Sequence, residues 1–290
     1  MVKDMNEFKS KDSVGIIGCG WLGKALAQTL IKQNITVLAT SSKQENVDKL
    51  NQQSINTQQL VLPTDAAILA RHDVFTMQSL VIAITPQLRQ GRVDYAEKIA
   101  QLVNAAQQVG VVERIILLSS TAVYDGLDGD VDEDSVLNLT IEKVKILNAA
   151  EQAVLSFSKH QPKSTAKQGI VLRLAGLVGP DRHPGKFILA NKMLSNATAP
   201  VNLIHQQDAV GLIEALLEKT LSQAIFTGVS DTHVTKAEYY QVAAKSLGLK
   251  PPAVEQENKN EVTKMVLGDK TQRALGYQFM YPDLLAWLNT

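Results

Sequence analysis

The sequence predicts an α/β protein: a doubly wound parallel sheet with helices on both faces, followed by a smaller C-terminal region. Short, nearly continuous apolar runs at 14–17, 79–84, 114–118 and 169–174 read as strands buried on both faces. Helical patterns separate them, as the crossover connections of a parallel sheet require. The first run leads straight into Gly18-x-Gly20-x-x-Gly23, and Leu22, Ala25, Leu26 and Leu30 then recur at helical spacing.

Strand 14–17 and the helix after the glycines form the first unit. Strand 36–40 follows, then a polar helix over 45–53 and a short apolar run at 59–62 ahead of Pro63. Strand 79–84 ends at Thr85-Pro86, and 95–109 reads as a strong helix. Strand 114–118 ends in Ser119-Ser120-Thr121. An Asp- and Gly-rich loop at 125–135 leads to a helix over about 140–159. Strand 169–174 completes the first part. Beyond 176 the rhythm changes: a Gly/Pro loop at 179–185, helices at 187–194 and 208–218 on either side of 201–205, a strand at 224–228, and a helix at 236–247. Pro251-Pro252 breaks the chain, and an apolar tail over 271–289 contains Trp287. The expected division is one domain over 13–176 and a smaller region over 177–290 that returns elements to the first sheet.

The chain has 290 residues, 45% of them hydrophobic and 20% charged, an ordinary globular composition. Its 29 Lys and Arg balance its 29 Asp and Glu, and no long basic run exists. That argues against capture of nucleic acid or an anionic membrane as the main activity. The single cysteine, Cys19, excludes an intrachain disulfide and a multi-cysteine metal site. No apolar run reaches transmembrane length. Ile16-Ile17-Gly18-Cys19 looks like a lipoprotein cleavage box, but the apolar run before Cys19 is too short, and Asp4, Glu7 and Asp12 precede it. The expected location is the cytoplasm.

A buried strand, a tight glycine turn and a helix start make an anion site. Gly18 permits the sharp turn, Gly20 leaves room for a pyrophosphate, and Gly23 lets helix and strand pack closely. Gly18, Gly20, Trp21, Leu22 and Gly23 are therefore candidate contacts of a dinucleotide. The strand-end residues Thr85, Pro86 and Ser119 join them.

Several motifs fall in one order: the glycine turn, Ser119-Ser120-Thr121-Ala122-Val123-Tyr124, Val131-Asp132-Glu133-Asp134-Ser135, the stretch Arg173 to Arg182, and Asn202 to Asp208. Over about residues 13–289 the chain resembles the extended short-chain dehydrogenase/reductase superfamily, the NAD(P)-dependent sugar epimerase/dehydratase group. Gly20-Trp21-Leu22-Gly23, Gln272 to Tyr277 and Tyr281-Pro282 resemble an atypical branch of it. The resemblance implies a Rossmann-type domain over 13–176, a small-molecule substrate such as a nucleotide sugar, and pairing of two copies through helices near 95–109 and 140–159, with Ile141, Val144, Leu147 and Val154 apolar in the second.

One departure bears on mechanism. The family's active enzymes carry Tyr-x-x-x-Lys on the helix after the Asp-rich loop. Anchoring on Glu151 puts Lys143 at the tyrosine position and Leu147 at the lysine position. A free tyrosine titrates near about 10, and the lysine normally brings it into range. Ser120 matches the family's catalytic serine or threonine, and a strand-end serine also commonly caps backbone. Tyr124 is a substitute acid or a packing residue. Arg182 and His205 lie where the family approaches its substrate, against the plainer reading of a loop arginine and a partly buried histidine. No residue spacing argues for a metal.

The end of the second strand sets the cofactor expectation. An NAD-preferring site usually places an acid there to hold the ribose 2′-hydroxyl, and the family pattern puts Ser41 at that position. Ser41, Ser42 and Lys43 suit a 2′-phosphate, so NADP(H) is favoured over NAD(H). The sequence supports an NADP(H)-dependent enzyme with an atypical proton donor. It also leaves open a non-catalytic NADP(H)-binding sensor or regulatory protein.

Overall fold

A computed structural model describes residues 13–158, 167–187, 193–219, 221–255 and 262–290. The chain begins with β1 (Ser13–Ile17), which enters the glycine turn, and α1 (Trp21–Lys32), whose N-cap is Gly20. Asn34 ends this helix in a left-handed conformation, φ 62°. Then come β2 (Thr36–Ser41), α2 (Gln44–Gln52), β3 (Thr57–Gln59) and α3 (Ala66–Ala70). Asp65 caps α3 by accepting the Ala67 and Ile68 amides. Next are β4 (Ser79–Ile82), α4 (Tyr95–Val109) and β5 (Arg114–Ser120), with Gly110 at φ +82° stopping α4. The remaining elements are β6 (Gly129–Val131), α5 (Glu142–Leu155), β7 (Gln168–Leu174), β8 (Gly176–Val178), β9 (Leu203–His205), α6 (Gln206–Glu218), β10 (Ile225–Gly228), α7 (Lys236–Ser246), β11 (Lys264–Val266), α8 (Asp269–Leu275) and α9 (Leu284–Trp287).

Among the described residues seven strands form one sheet, in the order β10-β7-β5-β4-β1-β2-β3. β1 pairs in parallel with both β2 and β4. The chain builds from β1 out to β3, then returns to β1's other side at β4. The carboxyl ends of β1 and β4 therefore mark the reversal of strand order, the position where open parallel sheets bind ligands.

Two compact units interleave along the sequence. The first takes residues up to 119 with 145–172 and 213–225, the second 120–144, 173–212 and 226–290. In the first, Ile16, Leu26, Leu30, Leu80, Val81, Ile99 and Ile116 are fully buried, each worth about 1.5–3 kcal/mol of transfer free energy. In the second, Val178, Val201, Tyr239, Ala243, Leu284 and Leu288 form a core against which Tyr281 and Trp287 pack. That unit carries two small parallel pairings, β6 with β11 and β8 with β9.

In the elements themselves, the differences from the sequence reading are local. The run at 59–62 forms its strand earlier, as β3, because Asn51 receives the Thr57 amide and donates to the Thr57 carbonyl. Strand 79–84 stops at Ile82, and the helix over 140–159 runs as Glu142–Leu155 with a 3-10 turn at Ser156–Ser158. Most of the helix expected at 187–194 lies outside the described residues. Val144, Leu147 and Val154 are buried within the chain, so pairing of copies through α5 would have to use other residues.

Candidate functional site

The turn after β1 is shaped by close backbone contacts. Gly18 has φ +96°, and a Cβ there would lie 2.9 Å from the Ile84 amide nitrogen. At Gly23 a Cβ would lie 2.8 Å from the Gly18 carbonyl oxygen, so α1 rests directly on the turn. At Gly20 a Cβ would meet nothing within 4 Å. The Cys19 amide donates to the Thr40 carbonyl at 2.8 Å and the Gly20 amide to the Gly18 carbonyl at 2.8 Å. With those amides used inside the chain, anion-binding capacity falls to the first turn of α1, whose amides have no acceptor within the helix.

This turn borders a cleft of about 570 Å³ at the carboxyl ends of β1, β2 and β4. Gly18, Gly20, Ser41, Ser42 and Thr85 line it, as do Cys19 and Thr40. Leu22 and Gly23 are buried behind the turn, and Trp21 opens α1. Pro86 is not part of the lining, and Lys43 stands exposed at the N-cap of α2, outside it. Ser119 is buried and donates to Glu151 Oε1 at 2.6 Å. Burial pushes the Cys19 thiol up to about 11, so it is protonated at neutral pH.

Sequence reasoning missed two basic residues in the lining, Arg92 and Lys98. Arg92 follows Gly91 in an irregular loop and Lys98 lies in the first turns of α4, and no local pattern ties either to the end of β2. Among the described residues the lining contains no Asp or Glu.

The remaining candidates lie in the second unit. Ser120 Oγ accepts the Ala122 amide at 3.1 Å, the capping interaction of a strand end, which leaves its proton to donate. Tyr124 is fully buried; Arg173 donates to its hydroxyl at 3.1 Å, and Thr227 Oγ1 lies 3.2 Å away. Burial raises the phenol, and Arg173 offsets this only in part. The hydroxyl is thus enclosed between Arg173 and Thr227. Lys143 is exposed and ion-paired with Asp125, whose other oxygen takes Lys264. Lys264 Nζ also donates to the Thr121 carbonyl at 2.9 Å. Burial pushes the Asp125 carboxyl up, and the two ammonium groups more than offset this, holding it below the usual carboxylate range. Lys264 comes from β11, which sequence patterning did not reveal.

Arg182 is exposed in the loop after β8, where its amide donates to the Gly179 carbonyl at 3.0 Å. His205 is buried, with its ring 3.9 Å from that of Tyr281 and 5.0 Å from that of Trp287. Its Nδ1 accepts the Gln207 amide at 3.3 Å, which requires the unprotonated nitrogen. Burial lowers its pKa from 6.5 to about 4. A depressed folded pKa stabilises the protein above pH 6.5, and this contribution is lost as the pH falls through about 4. The thermal midpoint of the parent is therefore expected to fall relative to that of His205→Phe, which keeps the ring stack, between pH 7 and pH 4. A pH-independent gap would show that His205 is not buried as the neutral form.

Among the described residues no group of His, Cys, Asp and Glu is placed to hold a metal ion, and no helix is long and apolar enough to cross a membrane.

A glycine turn at the strand reversal of a parallel sheet with flanking helices defines the class: a Rossmann-type α/β fold. UDP-glucose 4-epimerase from Thermotoga maritima shares this fold, with TM-score 0.77, 14% identity and 96% of each chain covered. So does human epimerase family protein SDR39U1, solved with NADPH, with TM-score 0.73, 18% identity and 96% and 98% coverage. A family model described as NADP oxidoreductase, coenzyme F420-dependent, matches residues 13–93. Within this class the chain belongs to the family of Protein YeeZ of Escherichia coli (strain K12), to which it is 31% identical over 278 residues, 94% of this chain and 97% of that protein.

Proposed function

We propose that this protein binds a nicotinamide dinucleotide, NADP(H) in preference to NAD(H), and acts as an epimerase/dehydratase- or reductase-like enzyme on a sugar-like or nucleotide-linked small molecule in the cytoplasm. The observation that carries this reading is the open face of Gly20 at the strand reversal: neighbours crowd Gly18 and Gly23, whereas among the described residues a Cβ at Gly20 would meet nothing within 4 Å, on the side from which a pyrophosphate would approach. The cleft volume and the lack of carboxylates among its described lining residues fit such a group. The family model named for NADP oxidoreductases and the NADPH-bound human neighbour support it.

Gly20 and the start of α1 would hold the pyrophosphate, and Ser41 and Ser42 the adenosine ribose. Bound there, the dinucleotide supplies a hydride donor or acceptor. Ser120 contributes a hydroxyl proton that orients a substrate oxygen, and Arg182 a guanidinium suited to a substrate phosphate. The proton donor is atypical, because the tyrosine position holds Lys143 and Tyr124 is enclosed. Those two observations favour the second reading, a non-catalytic NADP(H) sensor.

Single-turnover hydride transfer from NADPH across a panel of carbonyl compounds and nucleotide sugars separates the two. Ser120→Ala is expected to slow transfer about a hundredfold with NADPH affinity unchanged. Tyr124→Phe should cost stability rather than rate, Lys143→Met should change little, and Arg182→Ala should weaken nucleotide-sugar binding alone. Tight NADPH binding without turnover on any panel member would favour the sensor. Fast turnover indifferent to every one of these changes would show that the active site lies elsewhere.

A further inference from the structure

We propose that Arg92 is the specificity-determining residue of the cleft, reading the 2′-phosphate that distinguishes NADP(H) from NAD(H). This rests on the dinucleotide reading above. Among the described residues Arg92 and Lys98 carry the cationic side chains of the lining, which has no carboxylate among them. Both are held by Asp94. Arg92 donates through Nε to Oδ1 at 3.2 Å and through Nη2 to Oδ2 at 2.6 Å, while Lys98 Nζ lies 2.9 Å from Oδ2. Two cations on one carboxylate leave a net positive charge at the cleft wall.

That surplus is matched to a second anionic group. The pyrophosphate has its receptor at the first turn of α1. A further phosphate is the feature that only the phosphorylated dinucleotide adds. Arg92 is suited to it by shape as well as charge, since the fork now occupied by Asp94 presents the same pair of parallel donors to two phosphate oxygens. An exposed ion pair of this kind is weak, and its exchange for phosphate leaves Asp94 still neutralised by Lys98. Lys98 is less exposed than Arg92, with 14% against 44% of its side chain accessible, so it is the partner that stays. Ser41 and Ser42, at the end of β2 where an NAD-preferring site carries an acid, face the same cleft and repel no phosphate.

The test is calorimetric titration of the full chain and of Arg92→Gln and Arg92→Lys with NADPH, NADH, adenosine 2′,5′-bisphosphate and 5′-AMP. Arg92→Gln is expected to lower affinity for NADPH and for the bisphosphate about ten- to a hundredfold, with NADH and 5′-AMP unchanged. Arg92→Lys should fall in between. Unchanged NADH affinity also shows that the variant is folded. An unaltered NADPH preference in Arg92→Gln, or equal losses for both dinucleotides, would overturn the assignment and leave the dinucleotide reading intact. Failure of the parent to bind either dinucleotide would instead overturn that reading itself.

Discussion

A Gly20→Val variant is expected to fold as the parent does and to bind no dinucleotide. Gly20 has negative φ (φ −85°, ψ −154°), and among the described residues a Cβ there meets no atom within 4 Å. The branched side chain therefore projects into the cleft from the point where the pyrophosphate would approach the start of α1. Denaturant midpoints should agree with the parent, while NADPH affinity falls by at least about a hundredfold. Gly23→Val is the contrasting case. Its Cβ would sit 2.8 Å from the Gly18 carbonyl, a backbone atom that moves only if helix and turn separate, so both folding and binding should suffer. The pair separates space kept for a ligand from space needed by the fold. Normal NADPH binding by Gly20→Val would remove the glycine turn from the site.

Asp208→Ala is expected to destabilise the protein by about 3–5 kcal/mol. The Asp208 carboxylate is fully buried and gathers the tail of the chain. It accepts from the Tyr277 hydroxyl at 3.2 Å, the Met280 amide at 2.6 Å and the Tyr281 amide at 3.0 Å. Gly211, one turn further along α6, lets the tyrosine in: a Cβ there would lie 2.1 Å from the Tyr277 hydroxyl oxygen. Alanine would strand these donors and loosen Tyr281, which stacks on His205. Asp208→Asn retains one acceptor and should lose less. Scanning calorimetry should lower the midpoint by about 5–15 °C in the alanine variant. An unchanged midpoint would mean that the tail is held by α9 packing alone.

The sequence by itself determined the parallel sheet, the glycine turn and the absence of the tyrosine–lysine pair. These are local properties: a continuous apolar run, a glycine needed at positive φ, and residue identities at fixed offsets. Helix α4 could be bounded at Tyr95 and Val109 because its apolar stripe and Gly110 lie within one stretch of chain. Only the tertiary structure decided what long-range contacts decide. β6, β8 and β11 are three-residue strands whose hydrogen bonds come from partners distant in sequence, as in the pairing of Gly129 with Lys264. From sequence Tyr124 reads as a packing residue ahead of a substitute acid, and only the fold shows Arg173 and Thr227 closing around its hydroxyl. Lys43 reads as a phosphate ligand by its place after β2, yet the start of α2 turns it to solvent. The charge at the cleft comes instead from Arg92 and Lys98, which the fold of the chain after β4 carries to the carboxyl ends of β1 and β2. Charge and burial act through space, so the residues that set them need not be neighbours in the sequence.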